Sequence, residues 1–306
     1  MRIFDAHCDT LDLLGDNTSL KNIKAHYNFE KAAKYETHIQ LTAIWLDNAE
    51  HDVPRRVRTL IKRFNTETQN VHVIKSAADL KNAEGVSVIL GIEGGEGAEG
   101  SLQRLEELFG EGVRLMTLTW NHKNEISGTA FEKSGGLTDF GKKAVLKMQE
   151  LHMMIDVSHL SDEGFYDVAE ITSKPFIASH SNSRTVCPHF RNLTDDQFKV
   201  LINRGGVAGI NLCPDFLGAD PSVDSVVRHI EHFASLGGEN NIGIGADFDG
   251  IDSLPRGIRG TEDLYKIFDR LLSLNYSQEQ VDKIAFSNMY RVFSEVLEQS
   301  IKSAEK

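Results

Sequence analysis

The sequence is poor in cysteine, lacks an apolar run long enough to cross a membrane, and has no cluster of basic residues. Its three cysteines, Cys8, Cys187 and Cys213, are odd in number and form no C-x-x-C pair. That excludes a disulfide framework and suits reduced thiols in a cytoplasmic protein. No apolar stretch reaches the ~18 residues that a membrane span needs. The opening Met1-Arg2-Ile3-Phe4-Asp5-Ala6-His7 reads as a strand, not as the apolar core of a signal peptide. The polar stretch from Ser300 to Lys306 carries no anchor signal. A cytoplasmic location without a membrane partner is therefore expected. Acidic residues outnumber basic ones, 45 to 33, for a formal net charge of −12. With the basic residues dispersed, nucleic acid is not an expected partner. Low-complexity linkers and fixed-period repeats are also missing. The whole chain, residues 1–306, is expected to be one domain, at a length where α/β barrels fold as a unit.

What the sequence does have is alternation. Short apolar, β-rich runs take turns with amphipathic stretches of helical period, the pattern of a parallel sheet with helical crossovers. Eight strands are predicted, at Ile3–Cys8, His38–Leu46, Val86–Ile92, Leu115–Trp120, Met153–Ser158, Pro175–Ser179, Gly206–Leu212 and Asn241–Ala246. Near-continuous apolar runs such as Val86-Ser87-Val88-Ile89-Leu90-Gly91-Ile92 suit strands covered on both faces. Helices are predicted over residues 137–151, Pro54–Thr68, Val223–Leu236, Glu262–Leu274 and Asn288–Gln299, with capping boxes at Thr194–Gln197 and Ser277–Gln280. The stretches Gly94–Gly100 and Asn121–Gly136 read as loops, the second long enough to lie over an active site. The expected fold is a single (β/α)8 barrel.

In such barrels the chemistry sits at the carboxyl ends of the strands. The polar residues of this chain gather there. His7 and Asp9 form an H-x-D pair after the first strand, and residues two apart share a strand face. Cys8 between them should point into packing. Glu93 ends the third strand, beside two glycines. A carboxylate there has two oxygens and can bridge two cations, although a loop or capping acid is the plainer reading. A histidine, His159 or His180, follows each of the fifth and sixth strands, both in Ser-His pairs. One histidine at a strand end is usually structural; two on adjacent strands weaken that view. Neutral imidazole and carboxylate together suit zinc. After the eighth strand, Asp247 is placed to move a proton, and Asp249, before Gly250, reads as a turn-former. Arg191 precedes a helix; it could clamp a carboxylate, yet on its own it reads as a surface arginine. The remaining histidines are read as structural, with His122 left open because it falls in the long loop.

The ordered set D-A-H-C-D-T, G-I-E-G-G, L-T-L-T, I-D-V-S-H, S-H-S, R-N-L-T-D-D and G-A-D-F-D-G resembles the membrane dipeptidase (renal dipeptidase) family of zinc peptidases, among the amidohydrolase-like barrels. The resemblance runs from about residue 3 to residue 293. It implies two Zn2+ ions per chain, one held by His7, Asp9 and Glu93, the other by Glu93, His159 and His180, with Glu93 as the bridge. It implies that Asp247 transfers protons and that Arg191 engages the substrate's carboxylate. The implied activity is hydrolysis of short dipeptides by a hydroxide activated at the binuclear site, and homodimers are frequent in the family. A bridging carbamylated lysine is not expected, because the fourth strand ends without a lysine. Two departures stand out. Trp120 occupies the place where the dipeptidases carry a substrate-contacting histidine, followed by Asn121 and His122. The family's aromatic after the seventh strand is replaced in Asn211-Leu212-Cys213-Pro214. Trp120 and Asn121 are thus the expected substrate-side wall. Two alternatives remain at this point. One is a binuclear hydrolase of another small amide or ester (an N-acyl amino acid, lactam or lactone); the other is a metal-binding barrel without catalysis.

Overall fold

The computed structural model describes residues 1–15, 17–49 and 52–298. The expected last helical residue Gln299, the polar tail 300–306 and His51 lie outside the described residues.

Eight parallel strands close into a barrel: β1 (Arg2–Cys8), β2 (Thr37–Trp45), β3 (Gly85–Glu93), β4 (Val113–Thr117), β5 (Met154–Asp156), β6 (Ile177–Ala178), β7 (Val207–Ile210) and β8 (Ile242–Ile244). Sequential strands pair in order and β8 returns to β1. A two-residue strand, His72–Val73, pairs with Ser87 and Val88 near the start of β3, a pairing the sequence does not announce. Strand β4 is shorter than expected: it ends at Thr117, so Trp120 and Asn121 stand in the loop above it. Helices cross over between strands. Two of them, Leu102–Glu111 and Asp162–Ile171, have no counterpart among the predicted helices; serines at their N-caps, Ser101 and Ser161, accept amides of the first turn. Both expected capping boxes form.

The barrel interior is filled by one residue or more from most strands: Phe4, Ala6, Ile39, Leu41, Ala43, Ile89, Leu115, Met154, Ile177 and Val207. The same cluster takes in Met289, Val292, Phe293 and Val296 of the helix Asn288–Leu297, with the Phe4 and Phe293 rings 5.0 Å apart. This amphipathic helix plugs the end of the barrel where the strands begin. Polar chemistry is left the other end. A larger apolar cluster lies between the strands and the surrounding helices and includes Cys8, which therefore packs outward.

One irregularity aims the first site residue. Asp5 pairs with Gln40 and Cys8 with Thr42, so three steps along β1 match two along β2. That is a β-bulge, which flips the alternation of side chains. Ala6 packs inside, yet His7, the next residue, also reaches the inside. The amides disturbed by the bulge are taken up by Asp5, whose Oδ1 accepts from Ala246 N–H at 2.8 Å and His7 N–H at 3.3 Å.

Further up the barrel, strands β6, β7 and β8 are held against one another by glycine. A Cβ on Gly209 would lie 1.9 Å, and one on Gly245 1.7 Å, from the carbonyl oxygen of Ser179. Backbone cannot yield as a side-chain tip does. Gly245→Ala is therefore expected to destabilise the fold by about 1–3 kcal/mol or more. Chemical denaturation checks this; an unchanged midpoint would show that the three strands do not touch there.

Candidate metal centre

Above β8 and around the barrel mouth, the residues singled out in the sequence meet. His7 Nε2 lies 3.4 Å from Asp9 Oδ2 and 3.6 Å from Glu93 Oε2. The other oxygen of Glu93, Oε1, lies 3.0 Å from His159 Nε2 and 3.4 Å from His180 Nε2. The two imidazole Nε2 atoms are 3.0 Å apart. Asp247 Oδ1 lies 4.0 Å from His7 Nε2. All six side chains are buried. The geometry is thus two triads, His7–Asp9–Glu93 and Glu93–His159–His180, joined by the two oxygens of one carboxylate.

The hydrogen-bond partners favour one placement of the imidazole protons. Asn121 Oδ1 can only accept and sits 3.1 Å from His159 Nδ1, a pairing that places the proton on Nδ1. Ser179 Oγ lies 2.5 Å from Asp156 Oδ2 and 2.7 Å from His180 Nδ1. The carboxylate can only accept, so the serine proton goes to Asp156 and His180 Nδ1–H donates to Ser179. Both Nε2 atoms therefore point bare lone pairs at each other and at Glu93. Burial, and then the charge of Arg191, lowers the His159 imidazole to about 4. Burial, and then the charge of His7, holds His180 well below its ordinary value. Neutral imidazoles with free lone pairs facing a carboxylate repel one another unless a cation lies among them. On the other side, His7 Nδ1 and Nε2 and Asp9 Oδ1 are buried without a hydrogen-bond partner among the described residues. Burial pushes the Asp9 carboxyl up to about 7 and raises that of Asp247 as well. The donor set, N and O only, fits two divalent cations of the zinc, manganese or cobalt kind. A third grouping, His7–Asp156–His180, is equally close in space. Asp156 is a poor ligand, however, since its oxygens already accept from Thr117, Ser158 and Ser179, the last through both amide and hydroxyl.

A cavity of about 380 Å³ opens over the cluster, lined on one side by Glu93, His159, Asp247 and Arg191. Arg191 is buried, with its guanidinium carbon 5.6 Å from the Phe216 ring centroid and no hydrogen-bond partner for Nε among the described residues. It is not the surface arginine that its sequence context alone suggested. Trp120, Phe131, Phe190 and Phe216 form aromatic walls. Trp120 stands edge-on to Trp45, with ring centroids 4.9 Å apart. The long loop after β4 supplies Trp120, Asn121 and Phe131 to the cavity, as its length suggested. Asn121 lines the cavity and at the same time orients His159.

Some residues fall elsewhere. His122 turns toward carboxylates, with Nδ1 3.3 Å from Glu132 and Nε2 3.8 Å from Asp47, and does not line the cavity. His189, read as structural, does line it and packs at a tilt against Phe190 and Phe216. Asn211 was missed; its amide donates to Asp247 Oδ2 at 2.8 Å and fixes that carboxyl. Asp156 and Ser179 were also missed, although their positions in I-D-V-S-H and A-S-H-S, polar residues inside apolar runs, were a usable signal. Two site residues bend the chain: His159 and Asp247 have φ of 69° and 61°. Left-handed backbone at non-glycine residues costs on the order of 1–3 kcal/mol and gathers where a site dictates it.

The model of the family described as Membrane dipeptidase (Peptidase family M19) matches residues 1–306. This chain belongs to the membrane dipeptidase family. It is 33% identical over 267 residues to an uncharacterized dipeptidase of Schizosaccharomyces pombe, covering 82% of this chain and 63% of that one. It is 32% identical over 246 residues to human dipeptidase 3, covering 78% of this chain and 50% of the relative. The chain thus spans about half the length of the mammalian relative. Among solved structures, a metallo peptidase from Rhodobacter sphaeroides, liganded with a phosphinate mimic of the dipeptide L-Ala-D-Ala, superposes with a TM-score of 0.86 at 24% identity, covering 97% and 99% of the two chains. A probable dipeptidase, PvdM, from Pseudomonas aeruginosa gives 0.83 at 18%, covering 97% and 96%. At these identities the likeness speaks for the barrel fold. Among the described residues, no helix is long and apolar enough to cross a membrane.

Asp249 separates from Asp247 cleanly. Its carboxylate accepts from Thr10 Oγ at 2.5 Å, His26 N–H at 2.7 Å and Tyr27 N–H at 3.2 Å, tying the loop after β1 to the loop after β8. Asp249→Ala leaves those donors unanswered and is expected to lower stability by roughly 1–3 kcal/mol. Denaturant unfolding measures this; wild-type stability would contradict the structural role.

Proposed function

We propose that this chain is a dipeptidase that works with two divalent metal ions, zinc by preference, held by His7, Asp9 and Glu93 and by Glu93, His159 and His180. The observation that carries the reading is the split of Glu93, one oxygen toward each triad. Metal ions bound there would supply Lewis acidity to the scissile carbonyl and lower the proton affinity of water.

The chain's own residues supply the rest. Asp247 is held by Asn211 through Oδ2, which leaves Oδ1 facing the cluster. Its burial raises its proton affinity, which suits a group that takes a proton from water and returns it to the leaving amine. Arg191, buried against Phe216 at the cavity wall, offers two N–H groups to the free carboxylate of a dipeptide. The aromatic walls exclude water from the peptide and accept small apolar side chains. The dipeptide mimic bound by the Rhodobacter sphaeroides neighbour supports a substrate of this size.

A second reading keeps the centre and changes the substrate. Trp120 presents an indole, which donates one N–H and cannot accept, where the dipeptidases carry a substrate-contacting histidine, and the changed contact brings N-acyl amino acids, lactams and lactones into consideration. A panel of dipeptides against these compounds decides: the dipeptidase reading predicts that kcat/KM is highest for a dipeptide, and a higher value for any other class would replace it.

Chelation is expected to abolish hydrolysis and added zinc to restore it; full activity of metal-free protein would end the proposal. Asp247→Asn is expected to keep its metal content and lose about 10²–10⁴-fold in kcat. Retained turnover would remove Asp247 from proton transfer.

A further inference from the structure

Two buried aspartates outside the ligand set make the same pair of backbone bonds. Asp5 Oδ1 accepts the amide of His7, two residues on, and that of Ala246 on the neighbouring strand. Asp156 Oδ1 accepts the amide of Ser158, two residues on, at 3.0 Å and that of Ser179 on the neighbouring strand at 2.8 Å. Each carboxylate replaces the ladder bonds lost where a strand turns out of the sheet toward the mouth. Each lies just ahead of a histidine of the centre. In this respect the two are alike and both are structural.

They differ at the second oxygen. Asp5 Oδ2 has no hydrogen-bond partner among the described residues. Asp156 Oδ2 accepts from the Thr117 hydroxyl at 2.6 Å and from the Ser179 hydroxyl at 2.5 Å. The Ser179 oxygen in turn receives His180 Nδ1–H, 2.7 Å away. Aspartate, serine and histidine are all buried, so no solvent competes for these bonds.

We propose that Asp156 and Ser179 are positioning residues that decide which nitrogen of His180 carries the proton. The chain of bonds has one direction. Asp156 can only accept, Ser179 has one proton to give, and so His180 must donate from Nδ1. That leaves Nε2 as the lone-pair nitrogen, aimed at Glu93 Oε1. Reversing the first bond reverses the rest. An amide NH2 in place of the Asp156 oxygen would donate to Ser179, whose proton would then turn to His180 Nδ1 and drive the imidazole proton onto Nε2, where it blocks a cation. The inference rests on the metal-centre reading above.

The test compares wild type with Asp156→Asn, Ser179→Ala and Asp5→Asn. The last keeps an oxygen for the two amides and controls for the shared backbone role. Metal-free protein labelled with 15N-histidine is examined by long-range 1H–15N correlation, with His180→Gln to assign the ring. The expected result is the Nδ1–H form of His180 in wild type and Asp5→Asn, and the Nε2–H form in Asp156→Asn. In Ser179→Ala, where the backbone bonds of Asp156 persist, a mixture is expected. Zinc titration should then show two sites in wild type and Asp5→Asn. The Glu93–His159–His180 site should bind roughly 10–100-fold more weakly in the other two variants. If the His180 tautomer and the zinc affinity of folded Ser179→Ala match wild type, the relay is wrong. If wild type itself binds no metal, the metal-centre reading fails instead.

Discussion

The arrangement depends on one electrostatic constraint: lone pairs and carboxylates are buried together with too few protons among them. His159 and His180 have committed their protons to Asn121 and Ser179 and present bare Nε2 atoms 3.0 Å apart. Glu93 faces both, and on its other oxygen faces His7 beside Asp9 and Asp247. Desolvated groups of this kind are strongly unfavourable unless paired. Protonating His7 relieves part of the crowding, since burial disfavours its charge but the carboxylates of Asp9 and Glu93 outweigh that and push it well up. It does nothing for the facing lone pairs of His159 and His180. Cations on both sides of Glu93 answer both halves of the problem.

The barrel is built to hold that unfavourable collection. The helix Asn288–Leu297 fills the opposite end with Phe293, Val292 and Met289, so the apolar core lies below and the polar mouth above. Strand ends leave the sheet through a bulge at Asp5–Cys8 and through left-handed turns at His159 and Asp247. Where backbone bonds are lost, side chains replace them: Asp5, Asp156, Asn182 and Asn211 each accept a backbone amide near the mouth. Rigid closely packed backbone, as at Gly209 and Gly245 against Ser179, leaves these groups little room to relax away from one another. Stability is in this way committed to keeping the residues aimed inward.

Much of this was legible in the sequence because it is periodic. Eight apolar runs with polar residues at their ends specify a barrel and its active face, and the ordered motifs carry the family. His7 lies near the end of the first run, and Asp9, Glu93, His159, His180 and Asp247 each directly follow a run, which is what singles them out in the sequence. What the sequence concealed depends on bond direction and register. The H-x-D pair suggested plain strand alternation, whereas a bulge turns His7 inward next to the inward Ala6. Arg191 read as exposed because nothing local shows that Phe216 covers it. The short helix Leu102–Glu111 was missed since its apolar stripe is narrow, with only Leu105 and Leu108 fully buried. Asp156 and Ser179 went unnoticed because a buried polar residue declares its partner only in three dimensions.

The proposed function stands or falls on Glu93 lying between two cations. Anomalous diffraction at the zinc edge from crystals of the zinc-loaded protein tests it most directly. Two peaks are expected roughly 3.5–4 Å apart, each about 2.0–2.2 Å from a different oxygen of Glu93, with His7 and Asp9 on one and His159 and His180 on the other. A single peak, or density bound away from Glu93, would contradict it.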